Sequence, residues 1–595
     1  MGIKRNLILS GVAVGVAVVL AAAFPTGRPQ AAAKQAVVAA PVVSAGSGAL
    51  RGSAAGLAVD IAAVPQAPEQ QSTAVRSLRP QDGLTDAQWE ARLAAVRNTD
   101  WSAKGVERLF WDGPQVEPAL EEGAAGLATP GAAKSFEGVA NTGWTPSDMA
   151  LAVNASYVLQ AVNESLLVTN KLGVTQLGFP KSLQAFFGRP ATVSIFDPRA
   201  LYDWYKGRFI VIADEFAPGT GGTGFLNIAV SQTSSPLGLW WIYRLQMGGA
   251  GSCPDYPTIG QDRDIVYISA NKFGCNNSGF TGPFQGSEVW LLPKKEMFLG
   301  QGFSFWWQAG FNVGGVQVDT LQPANVQNRS DRVRAEFMVN TFNIGFGGGQ
   351  CSIGCSGLVV WAISNPRGFV TGGPAPRFTG FIVDTLGYAL APGLHQPGTS
   401  TRVASLDTRI TGSVNYSAGS LFAATTTRVN TEPLTAGTIW WEVQPILNDN
   451  DPACVGLFVN KCPQIVGAVI RQQDCYLCGG WSSSGGTAFA ALQPDQDNNV
   501  TMVFAYGSDT FNPGVVYVSR RVTQTLNTMH DAGICLMCGL ANANTGGRWG
   551  DYYATAPDLS ATAPYMWFSG MYARAGDGRW NTRIGKNGFT AINQP

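Results

Sequence analysis

The chain has 595 residues, with 40 Lys and Arg against 40 Asp and Glu, so its formal net charge is zero. That balance lacks the basic footprint of a DNA- or RNA-binding protein, and no nucleic-acid partner is expected. Charged residues are 13% of the chain, about half of the roughly 25% usual for a soluble domain, yet 45% hydrophobic and 10% aromatic residues suffice to bury a large core, which excludes disorder as a description of the whole.

Residues 1–33 read as a signal peptide or membrane anchor. Lys4 and Arg5 precede an apolar run from Leu7 to Phe24, and the small residues Ala21-Ala22-Ala23 and Ala31-Ala32-Ala33 follow. The run approaches the ~20 residues that span a bilayer, so a single N-terminal membrane anchor is the alternative to cleavage. Either way an exported protein, secreted or held at the cell surface, is expected. Residues 34–84 are Ala/Val/Pro/Gly/Ser with almost no aromatics and read as a disordered spacer. Residues 85–135 read as a helical strap and linker. Thr85 and Gln88 form a capping box, and Trp89, Leu93 and Val96 share a face of a helix over Asp86–Asn98.

From residue 136 to 595 short apolar segments alternate with Gly, Pro, Asn and Asp turns. Strands are expected at Tyr157–Val162, Arg208–Ala213, Leu226–Ser231, Trp240–Leu245, Ile265–Ala270, Val289–Leu292, Leu358–Ile363, Ser420–Thr425, Thr438–Val443, Val500–Tyr506 and Val515–Val518. None carries a helical period, so the domain is all-β. An Asp-containing turn before an apolar strand recurs at Pro146-Ser147-Asp148, Phe196-Asp197-Pro198, Asp255-Tyr256-Pro257 and Trp549-Gly550-Asp551-Tyr552. The first intervals, of about 50–60 residues, suit a four-stranded blade with its loops. The spacing therefore predicts a β-propeller with seven blades, six or eight being the neighbouring counts. The remaining blades are placed near 317–363, 402–443 and 467–522.

Three stretches resemble a bacterial family of secreted, sialidase-like β-propellers. They are Asp255-Tyr256-Pro257-Thr258-Ile259-Gly260 with Tyr267-Ile268-Ser269-Ala270-Asn271-Lys272-Phe273, Arg548-Trp549-Gly550-Asp551-Tyr552 with Trp580-Asn581-Thr582-Arg583-Ile584-Gly585, and Pro146-Ser147-Asp148 with Tyr157–Asn163. The resemblance implies the propeller fold and carries no single activity. The chain departs from true sialidases in lacking S-x-D-x-G-x-T-W boxes. Gly576-Asp577-Gly578-Arg579-Trp580 is a partial echo of one.

Ten cysteines, Cys253, Cys275, Cys351, Cys355, Cys454, Cys462, Cys475, Cys478, Cys535 and Cys538, all fall after residue 136. An even number in an exported chain reads as disulfides, with Cys253–Cys275 and Cys454–Cys462 as local closures. Cys475-Tyr-Leu-Cys478 and Cys535-Leu-Met-Cys538 are expected in neighbouring Gly-rich loops, paired within or between them. A shared zinc is disfavoured by their separation, and a redox role by the absence of a thioredoxin-like pattern.

Two histidines, His395 and His530, leave no His-rich metal site and little scope for a triad, so hydrolysis would fall to carboxylates. Asp148, Asp197, Asp255 and Asp551 sit at equivalent turns and could converge at one mouth of the channel, with Asp148, Asp255 and Asp551 as the candidate acid and base. Arg548 and Arg583 are candidate clamps for an anionic sugar, and Trp549 and Tyr552 candidate ligand contacts. The competing structural reading is that each Asp fixes its own turn. Glu288 and Glu442 stand out as acids in aromatic strands. No cofactor is expected. Asp495-Gln496-Asp497-Asn498-Asn499 reads as an Asx-rich strand turn, and Asn448-Asp449-Asn450-Asp451 as a solvated loop with at most weak structural calcium.

These features favour a binding module for a glycan or a cell-surface protein. The alternatives are a sialidase-like glycoside hydrolase with paired carboxylates and an arginine clamp, and a structural surface-layer component.

Overall fold

Every strand expected from the sequence is a strand in the computed structural model, which describes residues 48–50, 56–67 and, with short interruptions, 129–589. The expected signal, the helix at 86–98, and Cys351, Cys454, Cys462 and His530 lie outside the described residues. No helix among the described residues is long and apolar enough to cross a membrane.

The described strands form seven antiparallel four-stranded meanders, numbered here as blades in chain order. Their innermost strands are Ala150–Val153, Ser194–Asp203, Ser252–Gln261, Gln322–Val326, Val414–Ser417, Gly486–Pro494 and Ala554–Asp558. Each innermost strand lies against the next, and the seventh returns to the first, so the sheets close a ring around a central axis. That arrangement is a β-propeller. Blades 4, 5 and 6 begin at Gln322, Val414 and Gly486, several residues later than the sequence placed them, and 467–476 belongs to the outer strand of blade 5.

Blade 7 is built from both ends of the domain. Ala554–Asp558, Tyr565–Ala573 and Trp580–Asn587 come from the C-terminal end, and Lys134–Ala140 adds the outermost strand by pairing with Trp580–Asn587. The joint is covered by side-chain bonds. Val139 N–H donates to Gln160 Oε1 at 2.8 Å, Thr582 Oγ1 donates to the Val139 carbonyl at 2.8 Å, and Gln160 Nε2 donates to Ser569 Oγ at 2.7 Å. One clip thus ties blade 7 to blade 1.

The apolar runs are continuous because blades pack face to face and bury both faces of a strand. Leu226, Ile228, Tyr243, Val266 and Trp290 fill the space between blades 2 and 3, while Phe422, Trp440, Met502 and Val518 fill that between blades 5 and 6. Inside blade 2, Glu215 is fully buried and accepts paired bonds from Arg189 and Arg244 and one from Asn227. These donors hold its carboxyl below its ordinary range despite burial.

The stretch expected to be a disordered spacer is ordered in part. Leu57–Asp60 adds a fifth strand to blade 2 along Leu239–Ile242, and Gly48–Leu50 pairs with Phe305–Trp307 on blade 3. Ile61 and Val64 enter the core, Lys181 Nζ donates to the Val64 carbonyl, and Ala67 N–H donates to the Pro180 carbonyl. Low aromatic content did not prevent docking, because an open blade edge supplies unpaired backbone groups to any extended chain.

Candidate functional site at one mouth of the channel

Each blade carries, within its innermost strand or in the segment leading to it, a residue in the left-handed region. These are Asp148 (φ 49°), Asp197 (51°), Tyr256 (57°), Thr320 (49°), Leu406 (62°), Phe489 (59°) and Gly550 (57°), one per blade. A non-glycine residue there is unusual, and its occurrence in six of the seven blades, with Gly550 in the seventh, marks a built feature. The bulge amides are held by side chains of the preceding blade. Asp197 N–H donates to Asn163 Oδ1 at 2.7 Å, Tyr256 N–H to Asp197 Oδ2 at 2.9 Å, Thr320 N–H to Asn271 Oδ1 at 2.7 Å, and Phe489 N–H to Thr426 Oγ1 at 3.2 Å.

This geometry brings the expected aspartates together. Burial pushes Asp148 well above the ordinary carboxylate range, and Asp551 and Asp197 push it further. Burial, then Asp255 and Asp551, raises Asp197 to about 7, while its Oδ2 accepts from Tyr256 N–H. Asp551 is raised by burial, opposed by Arg548 and Arg409. Asp255 is partly exposed, whereas Asp148 is 1% exposed. Asp148 Oδ2 accepts from Asn163 Nδ2 at 2.6 Å and Asp197 Oδ2 from Tyr256 N–H, both outside their own turns, whereas Asp551 Oδ2 accepts from Arg548 Nη2 at 2.9 Å, three residues back in its own turn.

Immediately inside, side chains from four blades close the axis. Tyr256 hydroxyl donates to the Asp551 carbonyl at 3.1 Å, and Tyr552 hydroxyl to the Pro198 carbonyl at 3.0 Å. Their rings meet edge to face at 5.4 Å. The Arg199 guanidinium lies 3.2 Å from the centre of the Tyr552 ring and donates to the Pro257 carbonyl at 2.8 Å. Arg409 sits 4.5 Å from the Tyr256 ring and grips Asp407 with two bonds of 2.7 and 2.6 Å. A small cavity lined by Leu151, Tyr202, Ile259, Asn325 and Thr555 lies farther along the innermost strands.

Several expected roles change. Arg583 does not reach the mouth: it lies on the third strand of blade 7, where Nε bonds Ser135 Oγ at 2.7 Å and Nη1 pairs with Glu137. Trp549 and Tyr552 are fully buried, so neither offers a ring face to a ligand at the surface. Arg548 is 6% exposed and its charge is met by Asp551, which removes it as an open clamp. Glu288 pairs with Lys272, next to Asn271 opposite Asp255, and Glu442 is met by Arg471, Ser420 and Gln472, so neither acid is open. Asp577, in the partial box, closes a hairpin turn with Arg574 and Arg579.

Sequence reading missed Asp319 and Asp407, whose turns lack the neighbouring Pro or Tyr of the others, Arg199 and Asp214, which lie within strands, and Arg409, in the bend two residues after Asp407. The signal available was the turn itself, Val318-Asp319-Thr320 and Leu406-Asp407-Thr408, before an apolar run. Among the described residues no group of three or more His, Cys, Asp or Glu is arranged to hold a metal ion.

Cys253 is bonded to Cys275, Cys475 to Cys478, and Cys535 to Cys538, and Cys355 is also disulfide-bonded. Cys475 and Cys535 lie in the outer strands of blades 5 and 6, rather than in loops, because the strands run farther than their apolar residues mark. Asp495 behaves as a strand turn: Oδ1 accepts from the amides of Asp497 and Asn499, Oδ2 from Asn499 Nδ2, and burial raises its carboxyl to about 6. Asp495→Ala is expected to cost about 1–2 kcal/mol in thermal or urea unfolding through these lost acceptors. An unchanged midpoint would show that the turn does not need them.

No protein-family model matches the chain, and no curated protein matches it. Among solved structures, it is similar to a subtype N11 neuraminidase-like protein of A/flat-faced bat/Peru/033/2010, at 8% identity over 79% of this chain and 98% of that one, with a TM-score of 0.29. It is similar to the alpha-L-arabinanase of Penicillium chrysogenum, at 8% identity over 77% and 99%, with a TM-score of 0.32. A PL25 ulvan lyase gives 12% identity over 76% and 95%, with a TM-score of 0.29. At these scores the likenesses carry no argument, and the propeller rests on the sheet topology above.

Proposed function

We propose that the protein is an exported β-propeller that binds a glycan at the mouth formed by Asp148, Asp197, Asp255, Asp551 and Arg548. The observation that carries this reading is the meeting of these groups at one end of the ring, packed against Tyr256, Tyr552, Arg199 and Arg409, with Asp255 partly exposed. Carboxyl groups on fixed strand ends suit the directed hydroxyls of a sugar, since hydrogen bonds to charged groups are the strong ones. The disulfides fit an oxidising compartment and so support export. No cofactor forms part of this reading, and a cell-surface protein is the alternative partner.

A second reading, glycoside hydrolysis, is favoured by the Asp197 carboxyl, raised to about 7 beside Asp255. One acid kept protonated next to another carboxyl is the division of labour such chemistry needs. Asp255→Asn keeps the size of the partly exposed side chain and removes its charge. Calorimetric titration of oligosaccharides into the full chain is expected to show binding that this variant weakens about tenfold. Equal affinity for both forms would remove the mouth from binding. Release of reducing ends, lost in Asp197→Asn and in Asp255→Asn, would move the conclusion to the hydrolase.

A further inference from the structure

We propose that the end of the ring opposite the mouth docks on an anionic bilayer surface and so turns the mouth outward; this goes beyond the glycan reading and does not depend on it. In each four-stranded meander the innermost strand begins at the mouth, so the third strand ends and the fourth begins at the opposite end, the foot of the ring. Six blades expose a large aliphatic side chain in or beside that connection. These are Leu172, Leu239, Leu299, Val370, Val466 and Leu526, one from each of blades 1 to 6 in turn, and they are between 38 and 69% exposed. At the mouth end only Phe511 and Leu540, both of blade 6, match them among the described residues. The foot side chains stand on fixed backbone. Asn170 Oδ1 accepts from the Leu172 and Val174 amides, Phe298 N–H donates to the Lys294 carbonyl just before Leu299, and Arg520 donates to the carbonyls of Gln524, Thr525 and Thr528 around Leu526.

A bilayer fits these residues better than a protein does. Single aliphatic side chains spaced around a ring at one level form no groove for a protein partner, whereas each can enter a fluid headgroup layer by itself. The charge agrees. At the foot of blades 2 to 4 the exposed charged residues are Lys206, Arg263, Lys295, Arg334 and Arg367 against Asp60 alone, among the described residues. Half-buried Asp262, Asp264 and Glu296 offset part of that charge, and half-buried Arg208 and Arg377 add to it. The chain's net charge is zero, so this is a local excess, on the end away from the buried aspartates of the mouth. Lysine and arginine near an anionic surface add to the pull of buried aliphatic side chains. The chain also enters at this end. Leu50 pairs with Phe305, the first residue after the foot connection of blade 3, and the apolar run Leu7–Phe24 lies upstream in the sequence. Kept as an anchor, that run would tether the ring by the strand at blade 3's foot.

The test is hydrogen–deuterium exchange of the full chain on vesicles of phosphatidylcholine with phosphatidylglycerol, on vesicles of phosphatidylcholine alone, and in free solution. On the anionic vesicles exchange is expected to slow about threefold at 170–176, 294–304 and 521–528, and to stay unchanged at 508–512 on the mouth side. On phosphatidylcholine alone the slowing is expected to be weaker. Leu172→Gln, Leu299→Gln and Leu526→Gln together, all at exposed positions, are expected to leave the melting temperature unchanged and to abolish the slowing. Should that variant not fold, Lys206→Glu with Lys295→Glu serves instead and is expected to remove the difference between the two kinds of vesicle. No slowing at the foot, even in a chain that sediments with the vesicles, would overturn the proposal, as would slowing at the mouth instead. Equal slowing of the unmodified chain on both vesicles would overturn the anionic surface. Slowing that appears in free solution and grows with protein concentration would assign the foot to a second copy of the chain and overturn the proposal too.

Discussion

Gly138→Leu is expected to lower stability by about 4 kcal/mol and the melting temperature by roughly 5 °C, the largest effect of any single change considered. A Cβ at Gly138 would lie 2.3 Å from Gln160 Oε1 and 2.4 Å from Thr582 Oγ1. Neither atom can retreat freely. Both side chains are fully buried, and both belong to the bonds that join Val139 to blade 1 and to the rest of blade 7. The substitution therefore combines overpacking with the loss of buried hydrogen bonds. Because Lys134–Ala140 is the strand that joins the two ends of the domain, hydrogen exchange is expected to rise first in that strand and in Trp580–Asn587. Gly131→Leu is the control, since a Cβ there meets nothing within 4 Å. Equal melting temperatures for the two variants would show that the ring does not depend on this seam.

The second large effect is on pH. Asp197 is raised to about 7 in the folded chain, against about 3.9 when unfolded. Its contribution is therefore fully present below about pH 4 and is lost as the pH rises through 7. A shift of this size corresponds to about 4 kcal/mol. Asp148 and Asp214 are raised also, by burial first, and act in the same direction. Glu215, held low by Arg244, Asn227 and Arg189, acts oppositely, but its contribution is lost only as the pH falls below the ordinary range of a glutamate. Between pH 5 and 8 the raised aspartates decide the sign. The melting temperature is expected to fall over that interval, and Asp197→Asn, whose Oδ1 can still accept from Tyr256 N–H, is expected to flatten the curve. A melting temperature that stays level or rises from pH 5 to 8 in the unmodified chain would contradict the raised Asp197 carboxyl.

How far the sequence speaks depends on whether a property is local. Tyr157–Val162 is legible as a strand because a short apolar run with Tyr and two Val, bounded by turns, needs no partner to be recognised. Asp148, Asp197, Asp255 and Asp551 were found together because each stands in the same turn before the same kind of strand, and a repeated architecture carries equivalent positions to one end of the axis. Asp319 and Asp407 stand beside the left-handed residue of their turns as Asp255 and Asp551 do, but with neighbours too ordinary to mark them. Arg583 shows the opposite failure. It is near Arg548 in a resembling motif, yet strand alternation and the closure of blade 7 send it to Glu137 at the blade's outer side. Leu57–Asp60 has no apolar signature worth reading, and becomes a strand only because blade 2 leaves an edge for it.

By itself the sequence determined that this chain is all-β, built of repeated blades, and equipped with acidic turns at regular intervals, since periodicity and turn chemistry are short-range properties. Only the tertiary structure decided which of those acids are buried, that Arg548 turns to Asp551 three residues on, and that Tyr256 and Tyr552 cross between blades beside them. The burial and the tyrosine contacts join residues from different blades, 295 positions apart for Tyr256 and Asp551, and appear only when the ring is closed.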